Sequence, residues 1–208
     1  MSDEIYELLE EYSESKKDVF YNKDKWKSGE INLCFVTGLS GSGKTTLAYK
    51  LGGEVYELDD ILQNHAYSDN NLKEYGDMIY SFFRGPGKKY RTTEQVYDES
   101  LEKASIAAFI NYAKSYASSH RNKKFILEGV ELYWFYQPQD FRNYAVCIKG
   151  TSALKSMHRS AWRDSGDVKG VKRLGSYAKN MSRNDRAHAY KDSEQTIKKW
   201  IDYYKNIQ

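Results

Sequence analysis

The chain has 208 residues and a formal net charge of +3, a length that fits one α/β domain with additions and a charge too small to demand a nucleic-acid partner. Its two cysteines, Cys34 and Cys147, each lie inside an apolar run, and no CxxC pair occurs, which argues against a disulfide framework or a zinc site. The opening MSDEIYELLEEY is acidic and lacks an apolar signal core, and no run of about 18 apolar residues is present, so a reduced, cytoplasmic protein without a membrane span is expected.

In chain order, residues 3–20 read as an amphipathic helix, with Ile5, Leu8, Leu9 and Tyr12 at helical spacing. It packs on the domain or meets a second copy. NKDKWKSGE is a polar connector ending in Gly29, so residues 1–28 are expected to be a terminal helix and connector. INLCFVTG is continuously apolar, as a parallel strand covered on both faces should be. A short helix over 43–51 follows, stopped by Gly52 and Gly53. EVYELDDIL is a second strand ending in acids. Residues 71–84 look helical until RGPGKKYR breaks them. A long helix spans 93–118, KKFILEGV is a third strand and YAVCIKG a fourth. A helix from about Ser152 to Asp164, a glycine-spaced basic stretch and a terminal helix over about 192–206 complete the chain. Strands alternating with helices imply a three-layer α/β sandwich, a mostly parallel sheet with helices on both faces, forming a single domain over 1–208. The nineteen tyrosines fit rings half-buried on helix faces better than a base-stacking platform. His65, His120, His158 and His188 show no ligand spacing and read as surface residues. DVKG at Asp167 follows no strand, and NKDK at Asn22 precedes the glycine turn, so neither works as a guanine-nucleotide motif.

The turn VTGLSGSGKTT concentrates the chemistry. Gly38, Gly43, Lys44 and Thr45 fit GxxxxGK[ST], and Gly41 adds a glycine. Glycines let the backbone curl until successive N–H groups face inward, a nest for anionic oxygens. The positive end of the following helix adds to that field. Gly38, Ser40, Gly41, Ser42, Gly43, Lys44, Thr45 and Thr46 are therefore the candidate triphosphate cradle. Lys44 is the candidate cation for the β- and γ-phosphates, and Thr45 a candidate Mg²⁺ ligand.

Phosphoryl transfer needs a carboxylate near the attacking hydroxyl and another near the metal, both at strand C-terminal ends. YELDD supplies Glu57, Asp59 and Asp60 at one end, and FILEG supplies Glu128 at another. Asp59 is either the acceptor-side acid or a helix cap before ILQN, with Asp60 its rival for the catalytic role. Glu128 is either metal-proximal or an incidental strand-end acid. Arg159 and Arg163, four apart, fall on one helix face, placed to neutralise a transferred phosphoryl or simply solvated. Lys169, Lys172 and Arg173 lie among Gly166, Gly170 and Gly175, a composition suited to a segment that closes and reopens. Arg84, Lys88, Lys89 and Arg91 form a basic loop, either for an acceptor already bearing phosphate or merely exposed.

Over about residues 31–165 the chain resembles the P-loop small-molecule and nucleoside kinases, through GLSGSGKTTLA, the acid after the second strand, ILEGV and HRSAWRD. The resemblance implies that Asp59 orients or deprotonates the acceptor hydroxyl. It also implies that FILEG is the hhhEG strand of the uridine-kinase-like branch, with Glu128 in the acid position. RSAWRD is similar to that branch's RRxxRD lid motif, with Ser160 where the second arginine stands. Residues 152–180 would then be the lid region, and 62–92, which match no branch, the acceptor-binding region. The implied activity is transfer of the γ-phosphoryl of ATP, with Mg²⁺, to a small nucleoside-, nucleotide- or sugar-like acceptor. Polynucleotide and zeta-toxin-like kinases share these features. A nucleotide-gated regulatory NTPase, whose basic C-terminal third binds nucleic acid, is the alternative class. Neither the acceptor, the choice of ATP over GTP nor the oligomeric state is written in these motifs.

Overall fold

The computed structural model describes residues 18–58, 99–156, 159 and 183–208. Within them β1 (Val19–Tyr21), β2 (Leu33–Gly38), β3 (Glu54–Glu57), β4 (Phe125–Glu128) and β5 (Ala145–Lys149) form one five-stranded sheet in the order β1-β5-β2-β4-β3. All neighbours are parallel except β1, which runs antiparallel to β5 along the edge.

The helices are α1 (Lys23–Ser28), α2 (Lys44–Lys50), α3 (Glu99–Ser119), α4 (Glu131–Phe135) and α5 (Arg183–Asn206), with a 3₁₀ turn at Pro138–Phe141. The period-2 alternation of the strands sorts the core into two faces. Leu33, Phe35, Leu127, Val146 and Ile148 pack with side chains of α3, α4 and α5, while Cys34, Val36, Ile126, Ala145 and Cys147 pack under α1 and α2. The arrangement follows from the right-handedness of parallel crossovers. From β2 to β3 the chain moves one way along the sheet and lays α2 on one face. From β3 to β4, and from β4 to β5, it moves back and lays α3 and α4 on the other. The expected three layers are therefore present.

The larger face is strongly aromatic. Phe35 and Phe141 have ring centroids 4.4 Å apart, Phe141 meets Trp200 at 5.7 Å, and Tyr204 lies 5.0 Å from Tyr21. The Tyr204 hydroxyl donates to the Pro138 carbonyl, which gives that buried phenol a partner. Many of the tyrosines thus support helix packing, as expected from composition.

Four sequence expectations need correction. Helix over 3–20 does not extend to its end: Val19, Phe20 and Tyr21 form edge strand β1, with Val19 paired to Ile148. These β-branched and aromatic residues alternate between the two faces, and the apolar spacing that suggested a helix lies in residues 3–17, outside the described set. The connector at 22–30 contains α1, bounded by Asn22 and Gly29 in left-handed conformation. Its anchor is Trp26, 2 % exposed, whose Nε1 donates to the Leu51 carbonyl at 3.3 Å. One aromatic among polar residues has no period, so the pattern could not reveal it. The second strand is shorter than expected: it ends at Glu57, and Leu58 is already helical. His120 is also half-buried rather than superficial, stacked on Tyr116 at 4.0 Å with Nδ1 2.9 Å from the Tyr116 carbonyl oxygen. His188 is exposed; His65 and His158 lie outside the described residues.

Elsewhere α2 falls within the expected 43–51, and α3 covers all of the expected 93–118 that is described. The last helix begins at Arg183, earlier than the expected start at about 192. The short α4 and the 3₁₀ turn were not anticipated. The expected helix at 71–84 and the basic loop at Arg84–Arg91 lie outside the described residues. Among the described residues no helix is long and apolar enough to cross a membrane.

Candidate phosphate-binding site

Strand β2 ends at Gly38, and α2 begins at Lys44, so the glycine turn spans the C-terminal edge of the sheet. Its neighbours are fixed by topology. Because β4 is inserted between β2 and β3, Val36 pairs with Glu128, and because β5 flanks the other side, Gly38 pairs with Lys149. The chain leaves β2 toward one edge and later crosses to the other, which makes this the switch point where an α/β sheet opens a crevice.

The turn has the backbone that its glycines predict. Gly41 and Gly43 adopt φ of 78° and 90°, left-handed values that other residues adopt only under strain. Gly38 is required for space: a Cβ there would lie 2.9 Å from Ser42 Oγ and 3.0 Å from the Lys149 carbonyl oxygen. The Ser42 amide donates to the Leu39 carbonyl at 3.0 Å and closes the turn, while buried Leu39 fastens it to the aromatic face. Ser42 is 1 % exposed, and among the described residues its Oγ has no hydrogen-bond partner.

Three of the expected side chains converge at the start of α2. Lys44, 7 % exposed, places Nζ 3.3 Å from Glu128 Oε1. Thr45 Oγ1 donates to Glu128 Oε2 at 2.9 Å. Both oxygens of one buried carboxylate are thus engaged by the lysine and the threonine of the GKT sequence. Such a pair in low dielectric is held at a desolvation cost, and removing one member strands the other charge, typically at about 3–5 kcal/mol. The exit of β4 is locked to the loop by two further bonds: Thr37 Oγ1 donates to the Gly129 carbonyl at 2.8 Å, and the Gly129 amide to the Val36 carbonyl at 3.1 Å. Thr37 was not singled out in the sequence, because a hydroxyl inside an apolar strand gives no signal until its neighbour is known. Gly129 itself is crowded, since a Cβ would lie 2.8 Å from Leu58 Cδ1.

Glu57 pairs with Glu128 across β3 and β4, and aligned residues of parallel strands face the same side. Its Oε1 accepts from the Tyr49 hydroxyl at 3.0 Å, so both strand-end acids are held by α2. Arg159 is exposed, yet its Nη1 donates to the Ser42 carbonyl at 3.4 Å, bringing a guanidinium onto the loop. Asp59, Asp60, Arg163 and the basic residues Lys169, Lys172 and Arg173 lie outside the described residues. Of the expected site, the structure therefore brings together the glycine turn, Lys44, Thr45, Glu128 and Arg159.

Comparison with protein-family models, with curated proteins and with solved structures gives no match.

Proposed function

We propose that this chain is a phosphotransferase of the P-loop kinase type. On this reading it binds ATP with Mg²⁺ and passes the γ-phosphoryl to a hydroxyl or phosphate of a small nucleoside-, nucleotide- or sugar-like acceptor. The convergence of Lys44 and Thr45 on Glu128, at the mouth of a turn with two left-handed glycines, is the observation that carries it. A glycine turn used only for folding has no need of a buried cation and carboxylate at its exit.

The residues fit the groups they would hold. Mg²⁺ takes oxygen ligands and is usually held by one or two carboxylates together with substrate phosphates. Thr45 Oγ1 and Glu128, 2.9 Å apart, offer that donor set. When bound, the ion would neutralise phosphate charge and orient the β- and γ-groups. The turn from Gly38 to Thr46 would cradle the phosphates through backbone N–H groups, and buried Ser42 Oγ has spare hydrogen-bonding capacity for a ligand. Lys44 Nζ would exchange Glu128 for a phosphate oxygen, a local reorientation rather than a refolding. Arg159, already on the loop, would stabilise charge on the transferred phosphoryl, with Arg163 four residues on in the sequence. Asp59, two residues beyond Glu57, would orient the acceptor hydroxyl and take its proton. The buried free thiols of Cys34 and Cys147 fit the reducing cytoplasm expected from composition.

The test is ADP release from Mg·ATP, screened against nucleosides, nucleotides, sugars and short RNA, with Lys44→Ala as control. Release stimulated by a small acceptor and lost in Lys44→Ala is the expected result. Stimulation by RNA alone would shift the acceptor to a polynucleotide. Stimulation only by a macromolecular partner, without transfer, would favour a nucleotide-gated switch. Undiminished turnover in Lys44→Ala would overturn the reading.

A further inference from the structure

Beyond β5, residues 153–156 are helical and so is Arg159, and the start of this segment is not capped by its own neighbours alone. The first amides of a helix have no partner within it and must find one elsewhere. Here the Ala153 amide donates to Glu194 Oε1 at 3.1 Å, forty-one residues away on α5, while the Lys155 amide donates to Ser152 Oγ at 3.3 Å. The Ser156 amide reaches the Ser152 carbonyl at 3.0 Å and begins the regular helical pattern, and Arg159, itself helical, follows three residues later in the sequence. Its Nη1 then meets the Ser42 carbonyl of the phosphate loop.

The platform supplying Glu194 is rigid. Ile197, Trp200, Ile201 and Tyr204 are all buried in the aromatic face, so α5 cannot shift without opening the core. The residue beside Glu194 makes a second connection: Trp134 Nε1, on α4, donates to Ser193 Oγ at 3.4 Å. Helix α4 directly follows the strand and turn that present Glu128. One turn of α5 therefore touches both the segment leaving β4, with its carboxylate, and the segment leaving β5, with its guanidinium.

We infer that Glu194 is a positioning residue: by capping the helix at Ala153 it holds Arg159 against the phosphate loop, so that the C-terminal helix sets the geometry of phosphoryl transfer. This rests on the phosphotransferase reading for its catalytic consequence, but not for the capping itself. A carboxylate is suited to the task, because it accepts the orphan amide and complements the positive helix end.

The experiment compares Glu194→Ala, Glu194→Gln, Arg159→Ala and the double variant Glu194→Ala/Arg159→Ala in the full chain. Hydrogen exchange is followed in peptides covering residues 150–160. Turnover is measured with Mg·ATP and the acceptor identified by the screen, or with water as acceptor if none is found. Loss of a cap should speed exchange in Glu194→Ala by about fivefold, and Glu194→Gln, which keeps an acceptor oxygen, should restore most of the protection. In Glu194→Ala, kcat should fall by roughly tenfold with the KM for ATP nearly unchanged, since the loop is intact. The same change in the Arg159→Ala background should cost less than about twofold, because its effect is transmitted through the missing guanidinium. Unchanged exchange at 150–160, or kcat losses that simply multiply in the double variant, would overturn the inference. A wild type that transfers phosphate to nothing, water included, refutes the phosphotransferase reading instead, and the exchange comparison alone then decides whether Glu194 holds the segment.

Discussion

At the residue scale, Lys44 and Glu128 should fail differently. Lys44→Ala removes the only cation placed at the turn among the described residues of α2's first turn, and should abolish transfer while weakening ATP binding less. It should also destabilise the ligand-free protein, because Glu128 would be left buried with its charge uncompensated by lysine; denaturant unfolding in the absence of nucleotide checks this. Glu128→Gln keeps shape and a hydrogen-bond acceptor for Thr45 but loses the charge, so its signature should be a higher Mg²⁺ requirement measured by titrating the metal at fixed ATP. The thiols give a second residue-scale expectation. Burial pushes the Cys34 thiol well up, with Cys147 nearby adding to it, and burial pushes Cys147 up to about 12, with Asp18 adding and Lys149 and Lys23 opposing. Raised values mean that folding favours the protonated form. Their contribution is complete below the unfolded value of about 8.5 and is lost as pH climbs from there toward the folded values. The urea midpoint should therefore fall between about pH 8 and pH 10, and the fall should be smaller in Cys34→Ala/Cys147→Ala, where only groups such as Tyr133 and Tyr204, whose hydroxyls burial also pushes up, remain. Native protein should react with a maleimide only as fast as it unfolds.

At the element scale, α1 is the sharpest test of the packing account. Six residues cannot form a stable helix alone, so α1 depends on Trp26 seated under the sheet. Trp26→Ala should cost about 3–5 kcal/mol, read as a lower denaturation midpoint, whereas Lys25→Ala, on an exposed pair with Glu30, should change little. The same element shows why part of the fold was hidden in the sequence. Strands β2, β4 and β5 announce themselves because a strand covered on both faces is apolar at nearly every position. The glycine turn announces itself because its backbone demands glycine at fixed places. An edge strand of three residues and a helix held by one tryptophan have neither signal, since their stability comes from contacts with residues distant in the sequence, Val19 with Ile148 and Trp26 with Leu51. Glu194 was hidden for the same reason: on a charged helix face nothing distinguishes the one carboxylate that caps a remote amide.

At the scale of the whole molecule, strand order does what no local motif can. The sequence motif names Lys44 and Thr45, but only the insertion of β4 between β2 and β3 sets Glu128 beside them, and only β5 on the other side brings the Arg159 segment to Ser42. The candidate site was thus legible as a set of parts, and its assembly was legible only as a class of fold. Asp59 belongs to this scale as well, because its proposed role depends on reaching a molecule bound across the crevice. Asp59→Asn should lower transfer to a hydroxyl acceptor by roughly a hundredfold or more while leaving ATP affinity nearly unchanged. If Asp60→Asn alone abolishes transfer, the two acids exchange roles.

The claim on which the rest depends is that the turn from Gly38 to Thr46 is a triphosphate site. Calorimetric titration of the wild-type protein with Mg·ATP, set against Mg·AMP under the same conditions, measures it most directly. Saturable binding of ATP, at least about tenfold tighter than AMP, is the predicted result, because the difference between the two ligands is the β- and γ-phosphates that the turn would hold. Equal affinity for ATP and AMP, or no binding of either ATP or GTP, would contradict the account.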